Sequence, residues 1–307
     1  MSIDTVGPTV SGVSTNSASG AKKAGASIDV RVTFDTSVVV DSTSGSPTLL
    51  MEAGTTDRAS SFTSGSASPI LVFTYTVQAG DTSSDLDYVG TSSLALNGSA
   101  LTDAAGNNAV LALATPGTTG SLSDGAAIVI DTSAPITPAL TTATITASMN
   151  AVVSSSELGT VYLVKSSIAV TTLADIANAN NAQWNQVSIT SANTNTDIAA
   201  TGLVDGTYVA YAVDAAENIS SASTGTLTID NTSPTVAITA SPTSIASGGT
   251  STLTFTLSET VAGFDASDLT AGLGTISGFT GSGTQFTATF TASSVAGGTG
   301  RVTITAN

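Results

Sequence analysis

Ala127-Ile128-Val129-Ile130-Asp131-Thr132-Ser133-Ala134-Pro135 reads as the end of a β-strand, an aspartate, and a short link closed by proline. The phrase recurs as Ile3-Asp4-Thr5-Val6-Gly7-Pro8 and as Thr226-Leu227-Thr228-Ile229-Asp230-Asn231-Thr232-Ser233-Pro234. Proline fixes φ, removes a backbone donor and pushes the residue before it towards extended geometry, so each copy ends one strand and lets another begin without helix. Spacings of 127 and 99 residues suit domains of about 100 residues. The expected organisation is therefore three domains, 1–130, 131–229 and 230–307.

Between the junctions the apolar residues alternate with polar ones in period 2. Ile28, Val30, Val32 and Phe34 share one face of a run from Ser27, and Thr252-Leu253-Thr254-Phe255-Thr256-Leu257 and Gln285-Phe286-Thr287-Ala288-Thr289-Phe290 alternate without a break. A disordered Ser/Thr/Gly tract has no reason to keep that period, whereas half-buried strands require it. Further strands are expected at 48–51, 70–77, 93–96, 110–113 and 127–130 in the first domain, and at 143–146, 151–154, 160–164 and 206–213 in the second. Thr172-Leu173-Ala174-Asp175-Ile176-Ala177-Asn178-Ala179 is the one helical pattern, with Thr171 or Thr172 as N-cap and apolar residues at i, i+3 and i+4. Asp205-Gly206-Thr207-Tyr208 resembles the tyrosine corner of immunoglobulin-like sandwiches. The fold class expected is all-β: tandem immunoglobulin-like β-sandwiches in an elongated array, with one short helix in the second. The third domain ends at Arg301–Asn307, where the second has its strand F, so strand G is expected from elsewhere in a longer chain or from another molecule.

With 22 acidic and 6 basic residues the net charge is −16, which argues against nucleic acid or an anionic membrane surface and leaves cations as the natural counterpart. No disulfide framework is possible without cysteine. The absence of His and Cys removes the commonest general base and the thiol nucleophile, and no G-x-S-x-G elbow precedes a helix. No apolar span is long enough for membrane insertion and no signal-peptide pattern opens the chain, so secretion information is expected outside these residues.

The acids are not scattered. In an antiparallel sandwich the start of strand A, the B–C loop and the F–G loop share one pole. In the second domain that parity gathers Asp131, Glu157 and Asp214; in the third it gathers Asp230 and Glu259; in the first it offers Asp4, Asp35, Asp103 and Asn107. Asp85 and Asp87 in the first domain and Asp205 in the second fall in turns expected to face the following junction. Carboxylates ~5 Å apart repel by about 3 kcal/mol at an effective dielectric of 20, and calcium, which takes roughly 6–8 oxygen ligands, would relieve that repulsion. Calcium is therefore the expected cofactor and these twelve residues its candidate ligands.

The junction phrase, Asp103-Ala104-Ala105-Gly106-Asn107, the run Asp205-Gly206-Thr207-Tyr208 through Asp214-Ala215-Ala216-Glu217-Asn218, and Phe264-Asp265-Ala266-Ser267-Asp268-Leu269-Thr270 together resemble the bacterial immunoglobulin-like repeats of giant surface adhesins. The resemblance implies a non-enzymatic, extracellular, cell-surface extender, similar in role to cadherin domains and stiffened by calcium, whose partners are neighbouring repeats. Glu217 departs from it, standing where the family pattern has glycine. An alternative is a subunit of a surface layer or extracellular filament, assembled by strand complementation between neighbouring subunits. Glycan binding would rest on Trp184, Tyr162, Tyr208 and Tyr211, but most of these alternate with apolar residues and read as core.

Overall fold

A computed structural model describes residues 3–294 and 297–305. The chain divides into two compact units, one up to Asn231 and one from Thr232. Strands dominate both, as the alternation requires.

The first unit holds two sandwiches, each around its own apolar cluster. In the first, one sheet runs in the order Val10–Thr15, Ser27–Asp41, Ser68–Thr76, Arg58–Ser64, Thr48–Met51, Leu94–Ala95, and the other in the order Gly20–Lys22, Ile128–Asp131, Thr82–Ser83. Ile28, Val30, Val32 and Phe34 are buried on one face, as their period demands, and pack with Leu71, Phe73 and Tyr75. Residues 110–113 form no strand; Val110 makes only an isolated bridge to Thr9. Arg58–Ser64 is a strand that the apolar pattern hides, because its one fully buried residue is Ser60, whose hydroxyl donates to the Leu49 carbonyl at 2.7 Å, and only Phe62 adds an apolar side chain to the core beside it. Leu122–Gly125 forms a second short helix that the sequence pattern does not show.

In the second sandwich, Ala139–Leu140, Asn150–Ser154 and Thr196–Ala199 form one sheet. The other runs Ala143–Ile145, Leu227–Ile229, Gly206–Val213, Gly159–Lys165, Trp184–Ile189. The first strand of this sandwich is split between the sheets, its second half running parallel to Leu227–Ile229. That split adds Ala139–Leu140, and Trp184–Ile189 and Thr196–Ala199 are strands that the sequence pattern does not show, which brings this sandwich to eight strand segments. The expected helix is Leu173–Ala177, preceded by Thr172. Asp175 reaches back to the amides of Thr171 and Thr172, both at 2.8 Å, and these bonds lower its pKa to about 2. Tyr208 is fully buried, and its hydroxyl donates to the Val204 carbonyl at 2.7 Å, four residues upstream, which is the expected tyrosine corner.

The second unit is one sandwich, with Val236–Ser241, Thr250–Leu257, Gln285–Ala292 and Gly274–Ser282 in one sheet and Leu269–Gly272 paired with Arg301–Ile304 in the other. Leu253, Phe255, Leu257, Phe286, Ala288 and Phe290 form its core, with Phe264 edge-on to Phe286 at 5.1 Å. Of the expected last run, Ala306 and Asn307 lie outside the described residues.

A candidate metal centre at a sandwich junction

Asp131 closes the strand Ile128–Asp131, the last strand of the first sandwich, where it stands opposite Thr82. Glu157 lies in the turn between Asn150–Ser154 and Gly159–Lys165, and Asp214 follows Gly206–Val213. The structure brings these three together: one carboxylate oxygen from each lies within 4.8 Å of the others. Among the described residues no other three acidic side chains meet in this way. One of these carboxylates thus comes from the first sandwich and two from the second.

The electrostatics are unfavourable as the side chains stand. Burial raises the Glu157 pKa, and the charges of Asp214 and Asp131 raise it further. The neighbouring Ser156 hydroxyl oxygen is buried with no hydrogen-bond partner among the described residues. Lys23, from the first sandwich, reaches the same loop but pairs with Glu217, Nζ to Oε2 at 3.4 Å, rather than with the three acids. All-carboxylate oxygen donors with no basic side chain among them suit a hard divalent cation.

Asp214 is set by a five-residue hairpin that occurs twice. Asp214 Oδ1 accepts from the amides of Ala216 and Asn218 at 2.8 and 2.9 Å, and its Oδ2 accepts from Asn218 Nδ2 at 2.8 Å. Asp103 makes the same three bonds with Ala105 and Asn107, at 2.8, 2.9 and 2.8 Å. The fourth residue needs positive φ; Gly106 has +91° and Glu217 has +64°. Glu217 therefore adopts the backbone that the family pattern gives to glycine, against the steric cost of its Cβ. Glu217→Gly is expected to stabilise the second sandwich by roughly 0.5 kcal/mol, because relief of about 1 kcal/mol of strain exceeds the worth of the exposed Lys23 pair. A lower unfolding midpoint for the glycine variant would show that the pair outweighs the strain.

The other candidates stand elsewhere. Asp35 accepts from the Thr9 amide at 2.9 Å and the Thr9 hydroxyl at 2.7 Å, bonds that lower its pKa. Asp4 Oδ1 caps the Val6 amide, and the Asp4 carbonyl takes the Asn107 amide group at 3.3 Å. Asp85 and Asp87 do not join the group of Asp131, Glu157 and Asp214. The register sets Thr82 against Asp131 and Ser83 against Ile130, and the Leu86 amide donates to the Ile128 carbonyl, so the chain runs away from Asp131 before it reaches either aspartate. Asp87 is buried and accepts from the amides of Tyr88, Gly117, Leu122 and Ser123 and from the Ser123 hydroxyl, which folds the loop before the short helix onto it. Asp205 Oδ1 accepts from the Asn231 amide and side chain, both at 2.8 Å. The Asp230 amide donates to Ile145 O, and Glu259, in the second unit, has a buried Oε1 with no hydrogen-bond partner among the described residues. Of the aromatic set only Tyr208 is fully buried; Tyr162 and Trp184 are half-buried with ring centroids 5.9 Å apart, and Tyr211 is half-buried beside them in register with Tyr162.

A buried carboxylate of the first sandwich that the sequence reading missed is Asp81. Its Oδ1 takes Arg58 Nε at 2.7 Å, and its Oδ2 takes the Tyr75 hydroxyl at 2.6 Å and the Gln78 amide at 2.9 Å. Burial alone would raise its pKa, but the bonds from Tyr75, Gln78 and Arg58 outweigh burial and lower it. The signal available was an inward Tyr followed six residues later by Asp in a turn.

Residues 230–307 match the family model of the bacterial Ig-like domain. A comparison with curated proteins found no match. Among solved structures, the chain is similar to the Escherichia coli adhesin FdeC (15% identity, 96% of each chain covered, TM-score 0.32). It is also similar to elastase-activated Escherichia coli alpha-2-macroglobulin (13% identity, 94% of this chain and 30% of that one, TM-score 0.23) and to the extracellular region of plexin A4 (9%, 94% and 31%, TM-score 0.20). The resemblance read from the sequence thus holds at the family level over residues 230–307, the stretch that the bacterial Ig-like domain model matches.

Proposed function

We propose that this chain is a non-enzymatic, extracellular spacer module of a bacterial surface adhesin, built of tandem sandwiches with boundaries near 131 and 230, in which a calcium ion at Asp131, Glu157 and Asp214 ties the first sandwich to the second. The observation that carries this reading is the meeting of three carboxylates within 4.8 Å across a junction, with no basic side chain among them. At that separation each pair repels by about 3–4 kcal/mol at an effective dielectric of 20 if all are ionised, so the cluster calls for a counter-ion. Calcium would supply positive charge and accept oxygen donors in flexible geometry. Of this chain's own groups, Asp131 presents its carboxylate from a strand anchored in the first sandwich, the hairpin bonds orient Asp214, and Glu157 closes the set from the opposite turn.

Calorimetric titration of the full chain with calcium tests the reading. Saturable binding is expected, and Glu157→Gln should weaken it by at least tenfold at the site it contributes to. Equal binding by wild type and Glu157→Gln would leave the acids as solvated turn residues.

A further inference from the structure

The peptide between Asp131 and Thr132 is held from both sides. From the second sandwich, Asn218 Nδ2 donates to the Asp131 carbonyl at 3.0 Å while also donating to Asp214 Oδ2. From the first sandwich, the Asp81 carbonyl accepts from the Thr132 hydroxyl at 2.9 Å, and the Gly80 amide donates to the same hydroxyl at 3.0 Å. A link gripped at adjacent positions by two rigid bodies loses the φ/ψ freedom on which interdomain swing depends.

The first sandwich supplies an internal control. Asn107 repeats every bond of Asn218, including the one to the carbonyl of its junction aspartate, Asp4, at 3.3 Å. Yet Asp4, Asp35 and Asp103 do not gather there as the second sandwich's acids do. The asparagine grip is therefore present with and without a three-acid cluster, so holding the strand end is its own task.

We infer that Asn218 is a cation-independent latch that fixes the last strand of the first sandwich against the second. The latch works through the protein's own amide and carbonyl groups, does not need the calcium reading to be correct, and if that reading holds it also presets Asp131 beside Asp214. Asn218 is here a positioning residue and contributes no cation ligand.

The chain has no cysteine, so single cysteines at the exposed Ser64 and Ser191 can carry one spin label on each sandwich of the full chain. Electron–electron distance measurements in chelator should give a narrow distribution for wild type. Asn218→Ala should broaden it at least twofold, and Thr132→Val, which removes the grip from the other side without touching the hairpin, should do the same. Asn107→Ala removes an equivalent set of bonds within the first sandwich and should leave the width unchanged. A wild-type width for Asn218→Ala, an equal broadening for Asn107→Ala, or a wild type already broad in chelator would each overturn the latch. Whether calcium binds is read separately, by adding calcium to the same samples: no response to calcium with an intact latch effect would count against the cation reading alone.

Discussion

Asp81→Ala is expected to destabilise the first sandwich by about 3–5 kcal/mol, the cost typical of removing one partner from a buried ion pair. The carboxylate side chain is 1% exposed, and three donors depend on it: Arg58, Tyr75 and the Gln78 amide. Removing it leaves a largely buried guanidinium and a buried phenol hydroxyl unpaired, and each loses its compensation for desolvation. The Tyr75 hydroxyl, whose pKa is raised by burial and by the hydrogen bond to Asp81, cannot compensate by ionising near neutral pH. Hydrogen exchange at residues 28–34, the central strand of that core, reports the change without interference from the other sandwiches. A change under 1 kcal/mol would mean that the network behaves like an exposed pair. The pH dependence follows from the lowered Asp81 pKa. The stability contributed by an acid with a depressed folded pKa is present above its unfolded value of 3.8 and is lost as pH falls through the lower folded one. Wild type should therefore lose stability below that range, and Asp81→Asn should lose less.

Calcium removal should produce the second-largest effect. A ligand that binds only the folded state adds RT ln(1 + [L]/Kd), about 2.7 kcal/mol at 100 times Kd, so chelation should lower the melting temperature of the affected transition by roughly 5–10 °C. Glu157→Gln separates the terms. The Glu157 pKa is raised, so in chelator its ionisation opposes folding, and stability should fall as pH rises through its titration. The glutamine variant should be at least as stable as wild type in chelator at neutral pH and should gain little from calcium. A melt identical with and without chelator for both proteins would remove the cation from the account.

Much of this architecture is legible in the sequence because period 2 is a direct consequence of the pleat: Ile28 through Phe34 and Leu253 through Leu257 alternate where one face is buried. The meeting of Asp131, Glu157 and Asp214 is legible for a related reason, since strand parity alone assigns three distant loops to one pole. What stays hidden depends on register and on polar pairing. Ser60 fills an inward position that an apolar count passes over, its hydroxyl satisfied by a neighbouring strand's carbonyl. Asp85 and Asp87 lie in the expected connection, but the pairing of Thr82–Ser83 with Ile130–Asp131 leaves them outside the three-acid group and sets the Asp81 carbonyl against Thr132. Asp87's partners come from a loop some thirty residues later, a closure that no local pattern announces.

The most direct test of the cation bridge is an anomalous-difference map from a crystal of the full chain grown with calcium. The account predicts a peak at about 2.3–2.6 Å from carboxylate oxygens of Asp131, Glu157 and Asp214 together. No peak there, or calcium held only by isolated surface carboxylates, would contradict it.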